Sequence, residues 1–104
     1  MLAPNPERTK VFISYSHQDA QWLKRLHVHL RPLVRNSTID LWDDTKISPG
    51  SQWQEEIAKA VKASRMAILL ISADFLASDF IASDELPPLL EAAENEGAII
   101  LPLL

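Results

Sequence analysis

The sequence predicts an α/β fold: a parallel β-sheet with helices on both faces. Three observations point to it. Apolar, β-rich runs at residues 11–15, 38–42, 66–71 and 98–104 alternate with stretches whose apolar residues recur at helical spacing. The connections between these runs are short, as in successive strand–helix units. The run Met66-Ala67-Ile68-Leu69-Leu70-Ile71 is apolar without a break, the pattern of a strand buried on both faces of a parallel sheet.

The elements follow in order. Residues 1–9 are polar, contain Pro4 and Pro6, and read as a loose leader. Val11-Phe12-Ile13-Ser14-Tyr15 is the first strand. Ser16-His17-Gln18-Asp19, a serine with an acid three residues on, reads as a helix N-cap. Trp22, Leu23, Leu26, Leu30, Leu33 and Val34 then line a helix to about Val34, which Pro32 kinks or ends early. Thr38–Trp42 is a second strand. Asp43 to Gly50 is a polar loop closed by a Pro-Gly turn signal. Ser51-Gln52-Trp53-Gln54 matches a capping box, and Trp53, Ile57, Ala60 and Val61 mark one face of the helix it opens. After the third strand, residues 72–80 read as a loop with some helical turn. Ser83 to Pro88 starts another helix, whose prolines fit a first turn where backbone N–H groups lack partners. Leu86, Leu89, Leu90 and Ala93 carry its apolar stripe, and Gly97 is its C-cap. The fourth strand runs from Ala98, and the apolar strand at residue 104 reads as the edge of a longer chain.

Composition narrows the chemistry. The 104 residues include no cysteine, which excludes a disulfide framework, a thiolate zinc site and a cysteine nucleophile. A net charge of −4 and scattered basic residues argue against a nucleic-acid surface. Only Gly50 and Gly97 are glycines, too few for either glycine-rich phosphate loop. No apolar run is long enough for a membrane span, and no signal-peptide stretch opens the chain, so a cytoplasmic setting is expected.

Sheets of this kind bind ligands beyond the carboxyl ends of their strands, where the strand order reverses. In the flavodoxin-like order 2-1-3-4-5, that crevice lies between strands one and three. It is bounded by Tyr15-Ser16-His17-Gln18-Asp19 and Ser72-Ala73-Asp74-Phe75, with Glu85 opening the next helix. A carboxylate there, with Phe80 nearby, can accept hydrogen bonds from sugar hydroxyls or stabilise a cationic sugar-like transition state. The plainer reading is a first-turn acid. His17 is a candidate acid–base group or merely a capping one. His27 and His29, two apart on a helix, do not share a face and read as surface or rim residues, so no metal site is expected. Asp43 and Asp44 could bind a cation or, more simply, are solvated turn residues. Trp22 and Trp53 read as core.

Two boxes make the chain recognisable. Val11-Phe12-Ile13-Ser14-Tyr15-Ser16 resembles the first box of Toll/interleukin-1 receptor (TIR) domains, and Asp43 to Gly50, closing on Ser48-Pro49-Gly50, resembles the second, the BB loop. Trp53 with Glu56-Ile57, Ser64-Arg65 and residues 72–80 also fit, so the resemblance covers residues 10–104. It implies a five-stranded flavodoxin-like domain over 10–104, C-terminally incomplete here, with the last strand and helix missing.

Many bacterial and plant members of the family, and one animal member, cleave NAD⁺ to nicotinamide and linear or cyclic ADP-ribose. Others are scaffolds that assemble through the BB loop. The resemblance therefore implies an NAD⁺ glycohydrolase, with NAD⁺ as substrate and no cofactor, activated by TIR–TIR contacts through residues 43–50. It further implies the effector part of a larger bacterial defence protein, with a C-terminal sensor domain. The alternative is a scaffold without catalysis. By resemblance Glu85 is the catalytic glutamate, and Tyr15, Ser16, His17, Asp43, Ile47, Ser48, Pro49, Gly50 and Phe80 border the substrate.

The family's aromatic residue stands four positions before its glutamate. Here Ile81 holds that position and Phe80 stands five before, a rotation of about 100° on an α-helix. Phe80 can replace the aromatic only if the segment departs from regular helix.

Overall fold

The computed structural model describes residues 9–36, 38–47, 50 and 52–103. Four strands, β1 (Lys10–Ser14), β2 (Asp40–Trp42), β3 (Ser64–Leu70) and β4 (Ile99–Leu103), alternate with helices α1 (Ala20–Arg35), α2 (Trp53–Lys62), α3 (Ala73–Ala77) and α4 (Leu86–Asn95). All pairings are parallel, in the order β2-β1-β3-β4. This is the flavodoxin-like α/β arrangement expected from the sequence, over its first four strands.

Strand alternation divides the interior in two. Val11 and Ile13 of β1, with Leu41 and Ile68, point to the face covered by α1 through Leu23, Leu26 and Leu30. Phe12, Trp42, Ala67 and Leu69 point the other way, under Ile57, Ala60 and Val61 of α2, Phe75 of α3 and Leu89 of α4. Phe12 and Trp42, register partners on β1 and β2, stack with centroids 5.3 Å apart. β3 is buried on both faces as its unbroken apolar run requires.

Several local expectations change. Ser16 caps a short 3₁₀ turn (His17–Asp19), accepting from the Gln18 N–H at 3.3 Å, and α1 begins only at Ala20. Pro32 does not end α1, which runs on to Arg35; the proline sits exposed near the helix end, where its missing donor leaves a carbonyl that water can serve. Trp22 is 59% exposed instead of core. The capping serine expected at residue 51 lies outside the described residues, and Gln52 precedes α2 with no side-chain cap bond. Residues 72–77 hold α3, whose Phe75 N–H is taken by Ser72 Oγ at 3.0 Å. Pro87 and Pro88 occupy the first turn of α4, and Gly97 follows its end at φ 78°. On β4, Ile99, Leu101 and Leu103 stay exposed. Among the described residues, no helix is long and apolar enough to cross a membrane.

Candidate functional site

A cavity of about 560 Å³ opens at the carboxyl ends of β1 and β2. Its walls are Tyr15, Ser16 and His17 after β1, Asp44 and Ile47 after β2, Trp53 and Ile57 of α2, and Ser78, Phe80, Ile81 and Glu85 before α4. The crevice is therefore nearer β2 than the topological rule placed it. Ser72 and Asp19, expected to bound it, line a second cavity on the α1 face and hydrogen-bond to each other.

Glu85 is the innermost polar group, 7% exposed. Ser14, the last residue of β1, donates its Oγ–H to Glu85 Oε1 at 2.6 Å. Burial pushes the carboxyl up to about 7, because the charged form loses its water. The Ser14 hydrogen bond opposes that shift, Asp44 adds to it, the His17 ring lowers it and Asp84 raises it slightly. A carboxyl poised there exchanges a proton near neutral pH, which a solvated first-turn acid does not.

The segment that carries Glu85 is a π-helical turn, Ile81–Glu85, closed by the Leu86 N–H on the Ile81 carbonyl. Such an i→i+5 turn is an α-helix with one residue too many, and it recurs at functional sites. It answers the spacing problem in the sequence. Ile81, four before Glu85, is buried in the core at the cavity wall, and Phe80, five before, reaches the same cavity. The Phe80 ring meets Trp53 edge-on, centroids 5.0 Å apart at 63°. Trp53 is thus 45% exposed and part of the cavity instead of core, since it opens α2 directly after the loop that borders the site.

Opposite lies a polar cluster. Asp44 accepts from Tyr15 Oη at 2.7 Å through Oδ1, and its Oδ2 is 2.5 Å from His17 Nε2. Burial first, then the Asp44 hydrogen bond and the charges of Asp44, Asp43 and Glu85, hold the Tyr15 phenol well above its ordinary range, so it remains a donor.

Asp43 takes a different part from the one expected. It is 0% exposed and does not line the cavity. Its Oδ1 accepts from the Thr45 N–H at 3.0 Å and from the Thr45 hydroxyl, and its Oδ2 is 2.7 Å from His27 Nε2. It is the cap of the 3₁₀ turn Asp44–Lys46, so it holds Asp44 in place. His27 is correspondingly half-buried, at the rim of a groove beside α1.

Of the residues read from sequence, Tyr15, Ser16, His17, Ile47, Phe80 and Glu85 meet in this cavity. Gly50, at φ 85°, is exposed and outside its lining. Ser48 and Pro49 lie outside the described residues. Asp44, Trp53, Ser78 and Ser14 were not anticipated; the sequence signal for Trp53 was its place at the first turn after the loop. Among the described residues no three His, Asp or Glu side chains are grouped to hold a metal ion.

Comparison with known proteins agrees with this architecture. The family model described as "TIR domain" matches residues 11–104. The protein y4lF of Sinorhizobium fredii is 33% identical over 94 residues, covering 90% of this chain and 29% of that protein. The disease resistance protein RML1A of Arabidopsis thaliana is 28% identical over 94 residues, covering 90% of this chain and 9% of that one. The chain thus spans less than a third of the length of the curated relatives it matches. Among solved structures, the TIR domains of the activated Roq1 resistosome, which directly recognizes the pathogen effector XopQ, superpose with a TM-score of 0.71 at 26% identity. That match covers 90% of this chain and 55% of the other. The TIR domain of the Toll-related receptor TRR-2 from Hydra magnipapillata shares the fold, with a TM-score of 0.65 at 23% identity over 90% of this chain and 68% of that one. Because the family match takes in all four strands and all four helices, the chain belongs to the TIR domain family.

Proposed function

We propose that this chain is an NAD⁺ glycohydrolase that cleaves the bond between nicotinamide and ribose, releasing nicotinamide and ADP-ribose or its cyclic form. The observation that carries the reading is Glu85: a nearly sealed carboxylate, hydrogen-bonded by Ser14, at the floor of a cavity with an aromatic wall. The electron pair of the breaking C1′–N bond goes to the pyridinium nitrogen, so nicotinamide leaves neutral and needs no acid. Positive charge develops on the ribose, and a carboxylate accepting from the ribose hydroxyls stabilises it. Water then bonds to C1′ and loses a proton to solvent, or a nitrogen of the substrate's own adenine bonds to C1′ and takes up the positive charge. Trp53 and Phe80 supply an apolar wall for the nicotinamide ring. Tyr15 and His17, both fixed by Asp44, face the polar part of the substrate. NAD⁺ is the substrate, and no cofactor is required.

Activation by assembly belongs to the same reading: the loop 43–50 of one copy closes the cavity of its neighbour, within a larger cytoplasmic immune protein carrying a C-terminal sensor. Likeness to TIR domains of a resistosome supports that part. A scaffold without catalysis is favoured only by the sequence spacing, in which Ile81 and not an aromatic stands four before Glu85, and the π turn that brings Phe80 to the cavity weakens it.

The test is nicotinamide release from NAD⁺ by concentrated protein, wild type against Glu85→Ala. Cleavage should fall at least about 100-fold in the variant, the scale of losing a transition-state charge partner. Cleavage that survives the substitution moves the site elsewhere, and none from an assembled wild type leaves the scaffold.

A further inference from the structure

Charge is segregated along this chain. α1 carries Lys24, Arg25, Arg31 and Arg35 with no acid, whereas residues 66–104 carry seven acids and no Lys, Arg or His. The fold puts the α1 charges on one face of the sheet and the α4 charges on the other, where the neighbouring α2 carries Glu55 and Glu56 along with Lys59 and Lys62. On α1, Lys24, Val28, Arg31 and Arg35 fall at i, i+4, i+7 and i+11, a single exposed stripe. Beside it runs a groove of about 410 Å³ lined by His27, Arg31, Val34, Arg35, Leu41 and Lys46, with no acidic group in its lining. On α4, Leu90, Glu91 and Glu94 form an exposed stripe of the opposite sign. Among the described residues, Arg31, Arg35, Glu91 and Glu94 make no ion pair.

We propose that α4 of a second copy of this chain docks its Leu90-Glu91-Glu94 stripe along the α1 stripe and groove. This deepens the self-association part of the function proposed above and uses a surface other than the loop 43–50. The complement to the basic groove is on the chain itself, which favours a second copy over a free anion. The pattern suits an interface with apolar residues, Val28 and Leu90, between charged flanks. Since the two stripes lie on opposite faces, the contact is heterologous: each copy keeps one unused stripe of each sign, and the assembly is an open stack. The Glu85 cavity opens at the strand ends, to the side of both faces, so stacking leaves it accessible. α4 also begins directly after the π turn, and docking on it bears on the segment that carries Glu85.

Sedimentation velocity tests this with wild type, Arg31→Glu/Arg35→Glu and Glu91→Lys/Glu94→Lys. Wild type should form concentration-dependent assemblies at about 50 mM salt and dissociate at about 500 mM, where screening shortens to a few ångströms. Each double variant should lose this salt-sensitive assembly, and an equimolar mixture of the two should regain it. That rescue cannot come from misfolded protein. Wild type that stays monomeric at low salt, variants that assemble with the wild-type salt dependence, or a mixture that behaves as the separate variants do would each overturn the stack. So would saturable binding of inorganic phosphate to a wild type that never assembles, which would make the groove a small-anion site. Nicotinamide release from the same samples separates the two proposals. Stacks without NAD⁺ cleavage sink the enzymatic reading alone, and Glu85-dependent cleavage by permanent monomers sinks the stack and activation by assembly while leaving the enzymatic reading.

Discussion

At the scale of single residues, Glu85 combines a structural cost with a chemical use. Its carboxyl sits at about 7 in the fold against an ordinary 4.5, a displacement worth about 3 kcal/mol. Below pH 4.5 the folded and unfolded chains both hold the proton, and no penalty exists. Between 4.5 and 7 only the unfolded chain releases it, so stability falls as pH rises, and above 7 the penalty is complete. Glu85→Gln, which can still accept from Ser14, should therefore leave the melting temperature near pH 4 unchanged and raise it at pH 8, by up to about 3 kcal/mol of stability. Equal melting curves at pH 8 would mean that the carboxyl is not desolvated. Activity should run the opposite way: kcat/KM for NAD⁺ should rise with pH along a limb centred near 7, because the ionised form is needed. Asp43 contributes to stability instead. Asp43→Ala strips the cap of the Asp44–Lys46 turn and the partner of His27, and should cost about 2–3 kcal/mol in urea unfolding. Glu85 was legible from topology and family resemblance. The role of Asp43 was not, because two adjacent acids in a loop say nothing of which one faces inward.

At the scale of elements, the π turn is the feature that sequence periodicity could not reach. A helical count assumes 3.6 residues per turn, so Phe80 and Glu85 look misaligned, and the correction appears only when the backbone takes an i→i+5 bond. A direct test follows from reading the turn as a one-residue excess. Deleting Ala82, whose side chain is exposed, should relax Ile81–Glu85 to α-helix with Phe80 then four before the glutamate. The protein should stay folded by circular dichroism and keep NAD⁺ cleavage within about tenfold, where a deletion in an unstrained helix would rotate the buried face by about 100° and unfold it. Loss of the cooperative transition would show the π turn to be more than a spare residue. Three of the helices were readable from their 3.6-residue period, and the strands from short apolar, β-rich runs, unbroken in β3. α3 was only half visible, since five residues are too few to declare a period.

At the scale of the molecule, the parallel sheet follows from the succession of strands and helices, its strand order from the flavodoxin-like arrangement, and the division of the core from which face each strand residue takes. The exposed row on β4 did not announce itself, because an apolar strand reads as buried until its neighbours are known. Ile99, Leu101 and Leu103 stand on one side of that strand with little over them, and Leu101→Lys should raise the concentration at which the chain stays soluble while leaving its melting temperature within about 2 °C. A large loss of stability would mean that the row is packed. One contact ties these scales together. The Ser14 hydroxyl and the Glu85 carboxylate are 71 positions apart, at the end of the first strand and at the threshold of the last helix. Joining them closes a long loop of chain, which is entropically slow and comes late in folding. The carboxylate therefore gains its partner only once most of the sheet is built. A chain still being synthesised, or one partly unfolded, holds the same glutamate in water at its ordinary acidity, so the raised carboxyl belongs to the finished fold alone.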